Sequence, residues 1–145
     1  MDNEIRIIQI NTAHADYVKE LELRDEVLRK PIGLSIYDEK LDEAGDVHLL
    51  AYSGDAVVGC LILTAVGEGE VKMRQVAVKE KFRGQGVGHM LVEFSEKTAK
   101  DMGYTKIVLN ARKESIGFYL KAGYQCCSDE FLEVGIPHRK MCKIT

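Results

Sequence analysis

The chain has only two prolines, no tryptophan and no apolar run long enough to cross a membrane. It therefore differs from proline-rich disordered segments, and its 46% of hydrophobic residues can supply a buried core. A chain of 145 residues buries about two thirds of its unfolded surface on folding. We expect a single domain over residues 1–145, because no stretch has the composition of a linker.

The charges are nearly balanced, since the net charge is −3 and acidic and basic residues are interspersed. A nucleic acid or an anionic membrane would need a basic surface, so neither is expected as the main partner. Residues 1–4 contain no basic region and are not followed by a long apolar stretch, as a signal peptide would be. We therefore expect no signal peptide and a cytoplasmic location.

The chain also lacks a Cys-x-x-Cys pair, although it contains four cysteines, Cys60, Cys126, Cys127 and Cys142. Metal sites require ligands at spacings that let them converge, so no metal is expected. Three of the four lie in apolar runs typical of strands. We expect reduced cysteines in the core rather than disulfides.

The most informative stretch that is present covers residues 75–89. It consists of an apolar strand, Val76-Ala77-Val78, a short basic connector, a glycine-rich turn and an amphipathic helix. Glycines tolerate positive φ and let the backbone approach a ligand closely. The first turn of a helix has unpaired N–H groups at the positive end of the helix dipole, so it binds phosphate through its backbone. With the planar donors of Arg83, the stretch predicts a phosphorylated ligand.

The spacing of this turn excludes two common phosphate loops. A dinucleotide fingerprint would need glycine where His89 stands, and a nucleoside triphosphate loop would need Gly-Lys-Ser/Thr, which is absent. The spacing present is Arg-x-x-Gly-x-Gly, from Arg83 to Gly88. Between a Val-Ala-Val strand and a helix, this pattern resembles the acyl-coenzyme A loop of the GNAT N-acetyltransferase superfamily.

Hydrophobic periodicity and turn residues predict the remaining elements. We expect strands over residues 4–10, 47–52, 57–66, 71–78, 106–109, 124–127 and 139–144, and helices over 16–28, 86–102 and from 114 or 115 to 122. The buried face of the first helix is expected to carry Tyr17, Val18, Leu21 and Leu28, and that of the second helix Val87, Met90, Leu91, Phe94, Thr98 and Met102.

The predicted strand before the glycine-rich turn contains an irregularity. Its apolar residues alternate up to Met73 and resume at Val76, so the alternation slips by one position. A β-bulge near Arg74 and Gln75 would repair the slip. A strand buried on both faces, where alternation is not required, is the alternative.

The resemblance extends over essentially the whole chain. The segment Ser-Ile-Gly-Phe-Tyr-Leu-Lys-Ala-Gly-Tyr at residues 115–124 is similar to a second family signature, and residues 135–138 are similar to a subgroup of small bacterial members. The resemblance implies an α/β (α+β) fold of the GNAT type. Its mixed central sheet would have about six to seven strands, with a parallel pair that splays apart, and helices on both sides.

The resemblance also implies the site of an N-acetyltransferase that uses acetyl-coenzyme A. The backbone of Val76, Ala77 and Val78 would hold the pantetheine arm, and the N–H of Val76 would serve as oxyanion donor. Tyr119 would bind the donor and protonate the departing thiolate, although a core aromatic is the alternative for this residue. The pyrophosphate would lie on Arg83, Gly84, Gln85, Gly86, Val87 and Gly88, and Asn110 could bind the pantetheine.

The general base is where the chain departs from the family pattern. Several members carry a glutamate on the bulged strand, whereas residues 71–74 contain no carboxylate. The candidates are Glu133, His138 and His48, directly or through water, and each could instead be structural or on the surface.

The acceptor is expected to be a small amine that attacks directly in a ternary complex, and a homodimer is possible by analogy. The segment 24–46 would wall its site. There Arg24 or Arg29 could bind an acceptor carboxylate or phosphate, and Asp38, Asp42 or Glu43 could bind an ammonium group, unless these charges are simply solvated. One alternative is an acyl-coenzyme A sensor or scaffold with weak catalysis. A more remote one is nucleotide binding by the same loop.

Overall fold

The computed structural model describes residues 4–145, so residues 1–3, which contribute to the expectation of no signal peptide, lie outside the described residues. The strands are β1 (Ile5–Ile10), β2 (Val47–Ser53), β3 (Ala56–Gly67), β4 (Glu70–Val78), β5 (Lys106–Arg112), β6 (Gln125–Cys126), β7 (Phe131–Glu133) and β8 (Ile136–Ile144). The α-helices are α1 (Tyr17–Arg24), α2 (Val87–Asp101) and α3 (Ile116–Lys121). A π-helical turn, Asp25–Arg29, follows α1, and 3₁₀ turns cover Lys30–Ile32, Ile36–Asp38, Glu80–Phe82 and Lys113–Ser115.

The strands form one mixed sheet in the order β1-β2-β3-β4-β5-β8-β6, with β7 paired to β8. Among these pairs only β4 and β5 are parallel, as expected for strands joined through α2. The predicted fold class is confirmed. Within residues 4–145 the sheet has eight strands rather than about six to seven, because β7, a short strand that forms a hairpin with β8, was not predicted.

The predicted bulge in β4 is confirmed. Cys60 on β3 pairs with Ala77 and Ile62 pairs with Arg74, so Leu61 alone stands opposite Gln75 and Val76. Gln75 has φ 54°, a left-handed conformation that few side chains adopt. The extra residue bends β4 and increases its twist.

The parallel pair separates soon after it begins. Glu70 to Lys72 pair with Lys106 to Val108, and in the described part of the chain no residue of β4 beyond Lys72 pairs with β5. β5 continues to Arg112 in full register with β8. A gap therefore opens between β4 and β5, with its wide end toward Val78.

The helices cover both faces of the sheet. α2 and α3 pack on one face, which we call the α2 face, against residues that include Leu61, Met73 and Leu109. α1 packs on the other, the α1 face, where Leu23 lies among Leu50, Cys60 and Ala77. No helix in residues 4–145 has both the length and the hydropathy of a membrane span.

The predicted buried faces of the first two helices are confirmed only in part. Tyr17 and Leu28 pack against the core on the α1 face, and Val87 and Leu91 are buried on the α2 face, but four other predicted residues are exposed. α1 buries Glu20, Leu23 and Arg24, whereas Val18 is 61% exposed. α2 buries Val87, Leu91, Val92, Ser95 and Ala99, and it leaves Met90, Phe94 and Met102 exposed. The prediction followed the largest apolar side chains, but the smaller Ser95 and Ala99 face the sheet.

Two of the cysteines also differ from the prediction. Cys60 is fully buried, but Cys126 and Cys127 are exposed and Cys142 is partly buried. All four are free thiols. The two exposed cysteines lie on and just after β6, which is the edge strand of the sheet.

We expect Gly59→Ala to lower the free energy of unfolding by about 1–3 kcal/mol, because an added methyl would overpack the contact between β3 and α2. A Cβ at this position would lie 2.9 Å from Leu91 Cδ1 and 3.1 Å from Val87 Cγ1. Urea unfolding followed by circular dichroism measures the effect. Gly45→Ala is the control, since a Cβ there meets nothing within 4 Å. Equal unfolding midpoints for the Gly59 variant and the parent would contradict this packing.

Candidate functional site

The gap between β4 and β5 exposes the backbone of residues 76–78. Val76 and Val78 point toward the α2 face and Ala77 is buried on the α1 face. None of the three pairs with β5, and Val76, in the bulge, has no register partner on β3 either. Apart from Val78 O, which accepts from Arg83 Nε, this edge of β4 is not paired to a neighbouring strand and can offer backbone groups to an extended ligand.

The glycine-rich turn lies at the wide end of this gap. Gly84 and Gly86 have φ of 78° and 84°, which only glycine adopts at little cost. The first helical hydrogen bond of α2 joins Met90 N to Gly86 O at 2.9 Å. Within residues 4–145, none of the backbone N–H groups of residues 84–89 donates a hydrogen bond. Six consecutive unpaired donors at a helix N-terminus are an arrangement that can bind an anion.

Two side chains in the region of this turn donate hydrogen bonds to nearby backbone carbonyls. Arg83 Nε donates to Val78 O at 3.3 Å, and Gln85 Nε2 donates to Lys81 O at 3.1 Å. A cleft of about 770 Å³ opens beside it, between Glu26, Val27 and Pro31 on one wall and Lys79, Glu80, Lys81 and Arg83 on the other. The cleft thus joins the turn to the segment after α1.

Tyr119 lies on α3, on the α2 face, with 7% of its surface exposed. Its ring packs edge-on against Phe118 and Tyr124, with centroid distances of 5.1 and 5.7 Å. Burial raises the pKa of Tyr119 to about 12, so the phenol keeps its proton at neutral pH. Its hydroxyl donates to no described residue.

The structure brings Asn110, Glu133 and His138 together. Asn110 Nδ2 donates to Glu133 Oε1 at 3.2 Å, and His138 Nε2 lies 3.4 Å from Glu133 Oε2. His138 Nδ1 is 2.7 Å from Ile136 O, which identifies it as the protonated nitrogen, and the ring stacks on Phe131. Asn110 was expected at the end of its strand but lies inside β5, two residues beyond the last pair with β4.

A second cluster links the bulge to the segment after α1. Arg29 Nη2 donates to Gln75 Oε1 at 3.1 Å, and the same guanidinium forms a bidentate pair with Glu39. Arg112, at the end of β5, donates from Nη2 to Leu28 O at a distance of 3.4 Å. These contacts close the α1 face of the gap. Arg29 is among the residues predicted from the sequence, whereas its contact with Gln75 is not.

Arg24, Glu43 and His48 are not available to a substrate, contrary to the roles suggested for them. Arg24 donates to Glu20 at 2.8 Å and to both oxygens of Glu43 at 2.8 and 2.7 Å. These three side chains and that of His48 are buried. His48 Nδ1 lies 2.9 Å from Glu20 Oε1, and its Nε2 lies 2.9 Å from Glu43 O. His48 is therefore wrong as a base candidate.

The same cluster has the composition of a metal site, because Glu20, Glu43 and His48 present ligand atoms within 4.8 Å of one another. The Arg24 guanidinium bonds to both carboxylates and supplies the positive charge there. The only sequence signal was the Glu20–Arg24 spacing of four residues on a helix, which is typical of an ion pair. Glu43 and His48 are too distant in sequence to be assigned to it.

Comparisons with known proteins agree with this geometry. A family model described as the acetyltransferase (GNAT) family matches residues 12–124. The uncharacterized N-acetyltransferase YjcF of Bacillus subtilis is 34% identical over 124 residues, covering 83% of this chain and 87% of that protein.

Two solved structures share the fold. An acyl-CoA N-acyltransferase from Pseudomonas aeruginosa has a TM-score of 0.84 at 26% identity, over 97% of this chain and 99% of that chain. A Bacillus subtilis acetyltransferase in complex with CoA has a TM-score of 0.72 at 23% identity, over 98% of this chain and 99% of that chain.

We expect His48 to contribute to stability as an imidazolium ion. Burial opposes its charge, but hydrogen bonds to the Glu20 carboxylate and the Glu43 carbonyl outweigh burial and raise the pKa of His48 above 6.5. A pKa raised by folding means that this stabilisation is complete below about pH 6.5 and is lost as the pH rises through the folded-state pKa.

NMR titration of the His48 ring measures that pKa, and unfolding from about pH 6 to about pH 9 should show the loss of stability. His48→Gln should flatten this dependence, whereas His14→Gln, at an exposed position, should not. A His48 ring that titrates below pH 6.5 would contradict the assignment.

Proposed function

The chain belongs to the acetyltransferase (GNAT) family, and we propose that it transfers an acetyl group from acetyl-coenzyme A to the amine of a small molecule by direct attack in a ternary complex. The observation that carries this proposal is the continuity of two backbone sites. The free edge of residues 76–78 leads directly into the six free N–H groups of residues 84–89. One ligand with a peptide-like arm and a pyrophosphate would engage both.

The free edge suits the pantetheine arm of the donor. Pantetheine is an extended chain with two amides, and such a chain adds to a sheet edge as a further strand does. The gap between β4 and β5 leaves that edge unpaired. A B. subtilis acetyltransferase of the same fold was crystallised in complex with CoA, which supports coenzyme A as the carrier.

The turn suits the pyrophosphate. Residues 84–89 present backbone N–H groups, and the N-terminus of α2 adds its dipole. Lys79, Lys81 and Arg83 add positive charge along the cleft. The donor would thus be held mainly by backbone groups, with Arg83 as the principal side chain, while Gln85, Val87 and Gly88 would contribute through their N–H groups.

The bulge would supply the oxyanion donor. Its extra residue removes Val76 from the register with β3, so the N–H of Val76 is free to point at a thioester carbonyl. A fixed N–H at this position would stabilise the negative charge that develops as the amine attacks. Its fixed orientation depends on Gln75, whose side chain Arg29 binds.

Tyr119 would act as the acid. Its phenol keeps its proton because burial raises its pKa to about 12. The departing thiolate would also be in apolar surroundings, where the pKa of a thiol rises, so the proton affinities of the two groups approach each other. Tyr119 would then give its proton to the sulfur as the C–S bond breaks.

Glu133 and His138 would take the proton released by the attacking amine. His138 Nε2 lies 3.4 Å from Glu133 Oε2, so the imidazole and the carboxylate present two candidate proton acceptors side by side. Asn110 connects the pair to β5 at the gap, and a water molecule could complete the path to the amine.

The cleft supports a small acceptor. Its volume of about 770 Å³ is in the range of small-molecule sites. We propose that residues 1–145 act as one domain in the cytoplasm, and that neither a nucleic acid nor a membrane is the partner. A homodimer is compatible with this proposal.

A second candidate function is an acyl-coenzyme A sensor with weak catalysis. The observation that favours it is the absence of a carboxylate from residues 71–74 of β4. Thiol release measured with a panel of primary amines distinguishes the two functions. Turnover that depends on the amine supports the enzyme, whereas tight binding of coenzyme A with background thiol release supports the sensor.

We expect Gly86→Ala to weaken coenzyme A binding about tenfold, because a Cβ disfavours the left-handed conformation that aligns the N–H groups. Calorimetric titration with coenzyme A measures this loss. Gly103→Ala is a matched control, since Gly103 stands at the other end of α2 with φ 89° and equally open surroundings. It should lose similar stability but keep its affinity, and equal affinities in both variants would contradict the turn as the pyrophosphate site.

We expect Tyr119→Phe to lower kcat by about 10²–10⁴-fold and leave coenzyme A affinity nearly unchanged, because only the proton donor is lost. Thiol release with the best amine of the panel measures kcat. Tyr124→Phe removes a hydroxyl from the neighbouring ring and should retain most activity. An active Tyr119→Phe enzyme would remove Tyr119 from the mechanism.

A further inference from the structure

We propose that Cys127 and Cys142 form a dithiol site that closes reversibly into a disulfide on reaction with a low-molecular-weight disulfide. The site lies at the edge of the sheet formed by β6 and β8, away from residues 76–89. It is a modification site in addition to the proposed acetyl transfer, and it does not depend on that activity.

The register of β6 and β8 places the two thiols on the same face. Cys126 pairs with Met141 and Gln125 with Cys142, and Cys127 N donates to Lys140 O at 2.8 Å. Side chains two positions apart along a strand point to one side of the sheet. Cys127 and Cys142 are therefore diagonal neighbours across the two strands, whereas Cys126 points to the opposite side.

The Cys142 thiol is part of the electrostatic surroundings of Cys127. Burial and the adjacent Cys142 thiol raise the pKa of Cys127, while Lys140 and Lys106 lower it. Diagonal neighbours in a sheet are farther apart than a disulfide requires, so one strand must shift for the bond to form. β6 can shift because it has two residues and, among the strands of residues 4–145, pairs only with β8.

The other cysteines are excluded as partners by their positions. Cys60 is fully buried in the core, and its Sγ donates to Gln75 O at 3.4 Å. Cys126 and Cys127 are adjacent in sequence, and Cα atoms about 3.8 Å apart are closer than an unstrained disulfide permits. Cys127 is exposed and Cys142 is partly buried, so Cys127 is the thiol that meets a reagent first.

The reaction takes two exchange steps. The Cys127 thiolate attacks one sulfur of the small disulfide, whose S–S bond breaks and releases one thiolate. The Cys142 thiol then loses its proton to water and attacks Cys127 Sγ in the mixed disulfide, releasing the second small thiolate. Two protein thiols are oxidised, one small disulfide is reduced to two small thiols, and an excess of small thiol reverses the reaction.

The disulfide would close a loop that contains Glu133 and His138. Residues 128–141 lie between the two cysteines and include β7, its turn and most of β8. A cross-link restricts such a segment mainly in the unfolded chain, so the oxidised protein should unfold at a higher temperature than the reduced one.

The test treats the reduced full-length protein with oxidised glutathione, blocks free thiols with iodoacetamide under denaturing conditions, and maps tryptic peptides without reduction. We expect the peptide of residues 122–139 to be joined to the peptide of residues 141–143. Cys126→Ser should keep this link. Cys127→Ser and Cys142→Ser should lose it, and the remaining cysteine of the pair should carry a glutathione adduct.

Three results would overturn the proposal. One is glutathione adducts on both Cys127 and Cys142 of the parent without a link between them. Another is a link that persists in Cys127→Ser, which would assign it to Cys126. The third is a link between two chains, seen as a dimer on a non-reducing gel. Thermal unfolding of oxidised Cys126→Ser should occur above that of its reduced form, and no shift would contradict the predicted loop closure.

Discussion

The separation of β4 from β5 is the constraint on which the rest of the structure depends. Pairing ends at Lys72, and three residues later the bulge at Gln75 bends β4 away from its neighbour. A sheet without the bulge would pair these strands to their ends and leave no free backbone at residues 76–78. The same bend carries the chain to the glycine-rich turn, so the edge of β4 and the N–H groups of residues 84–89 are oriented together. Both parts of the proposed donor site therefore follow from one extra residue.

A buried ion cluster fixes the opposite wall of the gap. Arg24 and Glu43 join α1 to the segment before β2, and His48 anchors the cluster to β2 itself. Removing such charges from water is costly, and a buried pair is weak evidence for stability in itself. Its effect is on position, because the loop between Ile36 and Glu43 is held at both ends: Ile36 N donates to Asp25, and Glu43 accepts from Arg24. Glu39 lies between these anchors and reaches Arg29 from there.

The sequence predicted the backbone features of the site and not its side-chain partners. The glycine-rich turn and the bulge are local patterns, visible in the spacing of Gly84 and Gly86 and in the slip before Val76. The roles assigned to those residues stay predictions. The contacts of His48 with Glu20 and of Asn110 with Glu133 join residues far apart in the chain, so no local pattern encodes them. The helix faces were misjudged in part for a related reason, because close packing on a sheet can favour small side chains over large apolar ones.

The π-helical turn Asp25–Arg29 makes the orientation of Arg29 depend on the number of residues in this part of the chain. A π turn holds one residue more than an α-helical turn, so it corresponds to a single inserted residue in a continuous helix. Deleting one residue there would restore α-helical geometry and rotate everything that follows by about 100°. Arg29 would then point away from Gln75, although every side chain of the contact was still present. Homologues that differ here by one residue would therefore differ in how the bulge is supported, even when the residues themselves are identical.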